Sequence, residues 1–120
     1  MVYTADSAAL AALEHLARLN NTSAQPQFVL ISVTLPDELV DDLDRSVLPG
    51  NWRSTPAPPA LQQIGDGWAK SGRSVALRVP SAIIEQQTNY LLNPKHPACG
   101  SIASGAAAPF VFDERLLRRP

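Results

Sequence analysis

The chain has 120 residues and a net charge of -1, with 45% hydrophobic and 18% charged residues. This length fits one domain, and the near-zero charge argues against a general nucleic-acid surface, which needs clustered lysine and arginine. The sequence has no apolar run that could cross a bilayer and no signal-peptide pattern after Met1, so we expect a cytoplasmic protein that does not insert into a membrane. Cys99 is the single cysteine, which excludes an internal disulfide.

The first third of the sequence predicts a strand, a helix and a second strand. Residues 2–5 are typical of the end of a strand. Asp6 or Ser7 can cap the helix predicted over residues 8–19, because either side chain can accept a hydrogen bond from a free helical N–H group. Residues 28–35 are apolar and β-branched, which predicts a buried strand.

The rest of the sequence predicts short elements separated by loops. Residues 48–59 form a proline-rich loop, residues 60–71 a second helix, and Gly72 ends that helix in a left-handed conformation. The further predicted strands are residues 74–79 and 109–112, with a short turn or helix over residues 81–87 between them. This order predicts one α+β domain over residues 1–120, with a mixed sheet and flanking helices.

Neither the acidic nor the histidine residues indicate a metal site. Asp41, Asp42 and Asp44 are close in sequence, and a solvated acidic face explains them better than a set of ligands. His15 and His96 stand alone, without the spacing of metal-ligand pairs. We therefore expect no bound metal.

Polar side chains that flank apolar segments are the candidates for chemistry. Tyr3 lies in the first predicted strand, Glu14 lies beside the apolar face of the first helix, and Ser81 follows a strand that ends at a proline. Asn89 and Asn93 come soon afterwards. A carboxylate next to an apolar face is costly unless it is paired or hydrogen-bonded, so Glu14 is the first catalytic candidate.

Each candidate also has a structural interpretation. Glu14 can pair with Arg18 on the helix surface, Tyr3 can be a core aromatic residue, and Ser81 can cap the turn that follows it. The sequence has no Gly-x-Ser-x-Gly motif and no histidine near Ser81, which argues against a serine hydrolase.

Several segments taken together resemble the RES domain family. The most specific are Val79-Pro80-Ser81 and Asn89-Tyr90-Leu91-Leu92-Asn93-Pro94, and the other matching segments lie in residues 2–14, 64–68 and 110–116. The resemblance implies a fold similar to that of ADP-ribosyltransferases and NAD as the substrate. It also implies the toxin half of a bacterial toxin–antitoxin pair, with a Xre-type helix-turn-helix antitoxin as the partner.

The resemblance assigns roles to four residues. Glu14 and Ser81 match the glutamate and the serine in the family's name, Tyr3 matches an active-site tyrosine, and Asn89 matches a polar residue of a later motif. Glu14 would stabilise positive charge on the ribose or orient the attacking water or phosphate. Tyr3 would pack on nicotinamide or ribose, and Ser81 would bind the ribose or the amide. The acceptor of ADP-ribose would be water, phosphate or a protein.

The family's arginine has no match in these 120 residues. It belongs to a Gly-Arg-Trp-Asn-like segment before the first strand, and Arg45, Arg53 and Arg78 are elsewhere. We therefore expect an exposed sheet edge and weak NAD turnover. An inactive RES domain that still binds its antitoxin is the alternative, and an exposed edge is compatible with a homodimer.

Overall fold

Two α-helices and eight short β-strands are formed by residues 1–18 and 27–117, the parts of the chain that the computed structural model describes. The helices are α1 (Ala8–Leu16) and α2 (Pro59–Ser71). The strands are β1 (Val2–Ala5), β2 (Phe28–Leu30), β3 (Val33–Thr34), β4 (Val40–Asp42), β5 (Ala76–Pro80), β6 (Thr88–Leu92), β7 (Ala103–Ser104) and β8 (Ala108–Phe110). Short 3-10 helices lie at Asp37–Leu39, Arg45–Val47, Pro97–Ser101 and Glu114–Leu116.

Four of these strands form a mixed sheet in the order β1-β6-β5-β4. Strand β6 pairs antiparallel with both β1 and β5, whereas β4 pairs parallel with β5. Strands β2 and β8 form one further two-stranded sheet, and β3 and β7 form another. The predicted α+β class with a mixed sheet is confirmed, and β1 lies at an edge of the larger sheet.

The predicted ends of the helices are largely confirmed. Ser7 is extended and its hydroxyl oxygen accepts from the Leu10 backbone N–H at 3.1 Å, so it caps α1. Gly72 follows α2 with a φ of 65°, the left-handed conformation that glycine adopts most easily. Helix α1 ends at Leu16, earlier than predicted, and the end predicted at residue 19 lies outside the described residues.

The prediction of one buried strand over residues 28–35 is wrong. The segment forms two strands, β2 and β3, that pair with different partners, and Val29 and Ile31 are 60% and 50% exposed. The backbone oxygen of Ser32, between the two strands, accepts from the Gly105 N–H at 2.8 Å. β-branched side chains favour an extended backbone, but they do not determine which surface that backbone meets.

Strand β4 was not predicted, because Asp41 and Asp42 are unfavourable in strands. Its position at a sheet edge leaves both carboxylates partly in solvent, where Asp42 pairs with Arg78 at 3.2 Å and Asp41 with Arg73 at 3.7 Å. Asp44 accepts from the Ser46 N–H and caps a 3-10 helix.

The core is centred on the start of β5. Val75 and Ala76 are fully buried and Leu77 is 4% exposed. Helix α2 packs against this region, where the Trp68 indole N–H donates to the buried Ser74 hydroxyl at 2.8 Å. Among the described residues, no helix is long and apolar enough to span a membrane.

Candidate active site

Four residues predicted from the sequence form one hydrogen-bonded group, the Glu14 cluster, made of Tyr3, Glu14, Ser81 and Asn89. The Ser81 hydroxyl donates to Glu14 Oε1 at 2.7 Å. The Asn89 amide Nδ2 donates to the same oxygen at 2.9 Å and to the Tyr3 hydroxyl at 2.7 Å. Residues far apart in the sequence therefore meet at one carboxylate, to which Tyr3 is linked through Asn89.

Strand register explains how the cluster assembles. Ala5 pairs with Asn89 and Tyr3 pairs with Leu91, so Tyr3 and Asn89 are diagonal neighbours on one face of the sheet. Helix α1 follows β1 directly and places Glu14 against Asn89. Ser81 enters from the third strand in the sheet order, because it follows Pro80 at the end of β5.

Ser81 is fully buried, and its hydroxyl has a fixed orientation. The oxygen accepts from the backbone N–H groups of Ile83 and Ile84, both at 3.1 Å. Because a hydroxyl has one proton, that proton is directed at Glu14. Ser81 thus caps its turn, as the structural interpretation predicted, and also holds the catalytic candidate.

Asn89 is also fully buried, and one of its two polar atoms has no partner among the described residues. Nδ2 faces the Glu14 carboxylate because the amide oxygen in that position would repel it, and Oδ1 is left unpaired. A buried acceptor without a donor costs about 1–3 kcal/mol. Such groups are few in native proteins and call for an explanation, and this one belongs to the Glu14 cluster.

Tyr3 is the most exposed member of the cluster, at 44%. Burial of its hydroxyl and the neighbouring Glu14 carboxylate raise its pKa, while the Asn89 hydrogen bond and Arg18 oppose the shift. The hydroxyl therefore keeps its proton near neutral pH. Because its oxygen already accepts from Asn89, that proton is available to donate to another molecule.

The predicted alternative of a Glu14–Arg18 ion pair does not form among the described residues. The Arg18 guanidinium lies over the Tyr3 ring, 5.5 Å from its centroid. Within residues 1–18 and 27–117, both hydrogen bonds to Glu14 reach Oε1 and both donors are uncharged. In these parts of the chain, no cation forms an ion pair with this carboxylate.

Comparison with known proteins identifies the family. The sequence profile described as "RES domain" matches residues 1–113. The chain belongs to the RES domain family. Its relatives include a protein named "Toxin Res" from Yersinia enterocolitica, 36% identical over 116 residues, which cover 96% of this chain and 76% of that protein.

Two further relatives match over almost the whole chain. A protein of Sphingobium sp. (strain YBL2) named "Prs ADP-ribosylating toxin" is 34% identical over 99% of this chain and 76% of its own length. A "Toxin Res" of Pseudomonas putida is 35% identical over 97% of this chain and 79% of its own length. All three proteins are named as toxins.

A cleft of about 690 Å³ adjoins the Glu14 cluster of this RES domain. The residues that line it include Tyr3, the mostly apolar segment 29–33, and Tyr90 and Arg78, which belong to the sheet face opposite Asn89. Of the four members of the Glu14 cluster, Tyr3 alone is among the residues that line this cleft.

Sequence reasoning placed Asn93 beside Asn89, but Asn93 has a structural role in the RES domain. Its Nδ2 donates to the Ala69 carbonyl at 3.1 Å, which ties the end of β6 to α2, and its Oδ1 accepts from the Lys95 N–H. His96 likewise accepts from the Ala98 N–H through Nδ1. No group of three or more possible metal ligands is present among the described residues.

Sequence reasoning also missed Arg53, which was considered only as a substitute for the family's arginine. Its guanidinium donates to the carbonyl oxygens of Ala82 and Ile83 at 2.9 and 3.1 Å, directly after Ser81. No local signal links the proline-rich loop to this turn, because the residues are 29 and 30 positions apart.

Proposed function

We propose that this RES domain cleaves NAD at the bond between nicotinamide and ribose, with Glu14 as the catalytic carboxylate. The observation that carries the proposal is the fixed Glu14 carboxylate, held at Oε1 by two uncharged donors. When the bond breaks, its electron pair leaves with nicotinamide and positive charge develops on the ribose. A preorganised carboxylate stabilises that charge without reorganising during the reaction.

Ser81 and Asn89 act on Glu14 in this proposal. Both are fully buried, and each donates one hydrogen bond to Glu14 Oε1. Together they fix the direction of the carboxylate and leave Oε2 for the ribose. A reacting group gains rate when it is held in a near-attack geometry rather than free to rotate.

Tyr3 supplies a further contact with the substrate. Its half-exposed ring offers a flat apolar surface for nicotinamide or ribose. Its hydroxyl, which keeps its proton, offers a donor to an oxygen of the ribose or the carboxamide.

Water or phosphate completes the reaction by supplying an electron pair to the ribose carbon, and a carboxylate beside that carbon can accept the proton of an attacking water.

The name of the Sphingobium relative favours a second candidate, transfer of ADP-ribose to a protein. The two are separated by NAD labelled in its adenine: label in free ADP-ribose supports hydrolysis, and label on a protein supports transfer.

We further propose that loss of cytoplasmic NAD makes the protein a toxin and that a Xre-type helix-turn-helix antitoxin blocks the site. The toxin names of the relatives support the first part. An antitoxin that covers Tyr3 would deny NAD access to the Glu14 cluster.

The test measures the rate of NAD consumption by this protein and by two matched variants of it. Glu14→Gln keeps the size of the side chain but removes its charge, and we expect turnover to fall about 100-fold or more. Glu114→Gln makes the same change at an exposed position and should leave turnover unchanged. Equal turnover in Glu14→Gln and Glu114→Gln would refute the proposal.

A further inference from the structure

We infer that Arg53 is a positioning residue for the Glu14 reaction, acting through the turn that holds Ser81. The inference rests on the proposed function of Glu14, because it concerns how that carboxylate is kept in place. It assigns a role to the proline-rich loop, which contributes none of the four members of the Glu14 cluster.

Two peptide groups connect Arg53 to the Ser81 hydroxyl. The Ala82 carbonyl and the Ile83 N–H belong to one planar peptide unit, and the Ile83 carbonyl and the Ile84 N–H belong to the next. Arg53 Nε donates to the first carbonyl at 2.9 Å and Arg53 Nη2 to the second at 3.1 Å. The N–H groups of the same two units donate to the Ser81 hydroxyl oxygen, both at 3.1 Å.

Arg53 therefore fixes both peptide planes from the side opposite Ser81. A planar peptide unit moves as a whole, so holding its carbonyl also sets the direction of its N–H. Hydrogen bonds in such a chain also polarise one another, which strengthens the bonds from the Ile83 and Ile84 N–H groups to the Ser81 oxygen. The serine proton then remains directed at Glu14 Oε1.

Arg53 is itself well anchored for this task. Its loop contains two backbone turns, from the Trp52 N–H to the Pro49 carbonyl and from the Ser54 N–H to the Asn51 carbonyl. The guanidinium also lies 6.0 Å from the centre of the Trp52 ring, and Nη1 is 3.8 Å from the Glu85 carboxylate.

Arg45 provides a matched control. It also reaches this loop, but its Nη2 donates at 3.4 Å to the carbonyl of Glu85, beyond the two peptide units that hold Ser81. A general loss of contacts to the loop would affect both arginine variants, whereas the proposed mechanism singles out Arg53.

The first experiment measures kcat and KM for NAD in Arg53→Ala, Arg53→Lys and Arg45→Ala. We expect Arg53→Ala to lower kcat about tenfold with a smaller change in KM, because misplacing a catalytic group costs rate rather than binding. Lysine cannot donate to two carbonyls with a rigid fork, so Arg53→Lys should restore only part of kcat. Arg45→Ala should stay close to the unchanged protein.

A double variant tests whether Arg53 acts through Ser81. If it does, Ser81→Ala combined with Arg53→Ala should be no slower than Ser81→Ala alone, because coupled residues are not additive. Additive losses, or equal losses in Arg53→Ala and Arg45→Ala, would overturn the inference.

Amide hydrogen exchange at Ile83 and Ile84 gives a readout that needs no NAD. We expect exchange at both amides to accelerate about tenfold or more in Arg53→Ala and to be unaffected in Arg45→Ala. Unchanged exchange, together with an inactive Glu14→Gln, would overturn the Arg53 inference alone. Full activity in Glu14→Gln would overturn the proposed function and, with it, the catalytic role of Arg53.

Discussion

Ser81 donates its hydroxyl proton to Glu14 Oε1 over 2.7 Å, across 67 positions of sequence. The bond joins the end of β5 to the second turn of α1. Each residue alone has an ordinary structural explanation, but together they hold a carboxylate in a fixed direction beside a half-exposed tyrosine.

Removing the serine hydroxyl should impair catalysis more than folding. In Ser81→Ala, Glu14 loses one of two donors and the Ile83 and Ile84 N–H groups lose their acceptor. We expect NAD turnover to fall about tenfold, since the remaining Asn89 bond allows the carboxylate to rotate. Steady-state kinetics checks this result. Ser101→Ala, at an exposed serine, is the control, and equal kcat values in the two variants would contradict the prediction.

Replacing the buried amide by a carboxylate should disrupt the cluster. Asn89→Asp removes the donor to Glu14 and Tyr3 and places two carboxylates together in a buried site. We expect a loss of about 3 kcal/mol in the free energy of unfolding at neutral pH, since an uncompensated buried charge is that costly. Denaturant unfolding measures it. The exposed Asn51→Asp is the matched control, and equal stability in both variants would count against the cluster.

The Tyr3 hydroxyl should titrate above its ordinary value of 10.0, because burial and Glu14 both raise its pKa. A raised pKa means that folding favours the protonated form. Its contribution to stability is therefore complete below the unfolded pKa and is lost as pH rises through the folded pKa. Ultraviolet titration of tyrosinate in the unchanged chain and in Tyr3→Phe isolates this group.

Glu14→Gln provides a second check on the Tyr3 titration. It removes the carboxylate that raises the pKa, so the Tyr3 midpoint should move down toward its ordinary value. A Tyr3 midpoint at or below 10.0 in the unchanged chain, or one unaffected by Glu14→Gln, would contradict the geometry.

The cluster of Phe28, Phe110 and Phe112 should contribute strongly to the free energy of unfolding. Phe112 is 6% exposed and packs against Phe28 and Phe110, with centroids 5.5 and 5.2 Å away. We expect Phe112→Ala to cost about 3–5 kcal/mol in the free energy of unfolding. The adjacent Val111 is 87% exposed, so Val111→Ala should change stability by less than about 0.5 kcal/mol. Similar losses in both variants would contradict this packing.

Local chemistry explains which parts of the fold could be predicted. The Ser7 cap and the Gly72 end of α2 depend on a few neighbouring residues, so sequence alone reveals them. The segment 28–35 and strand β4 depend on distant partners: β2 pairs with β8, and β4 is held beside β5. Pairing of this kind leaves no local signal.

The same distinction applies to the site. Tyr3, Glu14, Ser81 and Asn89 were found from the sequence, because polar residues beside apolar segments and a family resemblance both indicated them. The hydrogen bonds from Arg53 to the turn after Ser81 could not be found, since they join two irregular loops. The sequence suggested Asn93 as a site residue because the prolines near it are visible in the sequence. Its hydrogen bond to the Ala69 carbonyl joins residues that are distant in the sequence, so no local pattern reveals it.

The most direct test of the central claim identifies which bond of NAD is broken. NAD labelled in the nicotinamide ring is incubated with the gene product and with Glu14→Gln at equal concentration, and the labelled products are separated by chromatography. We predict that the unchanged protein releases free nicotinamide in proportion to the NAD it consumes and that Glu14→Gln releases almost none. Intact NAD with the unchanged protein, or label in nicotinamide mononucleotide from cleavage at the pyrophosphate, would contradict it.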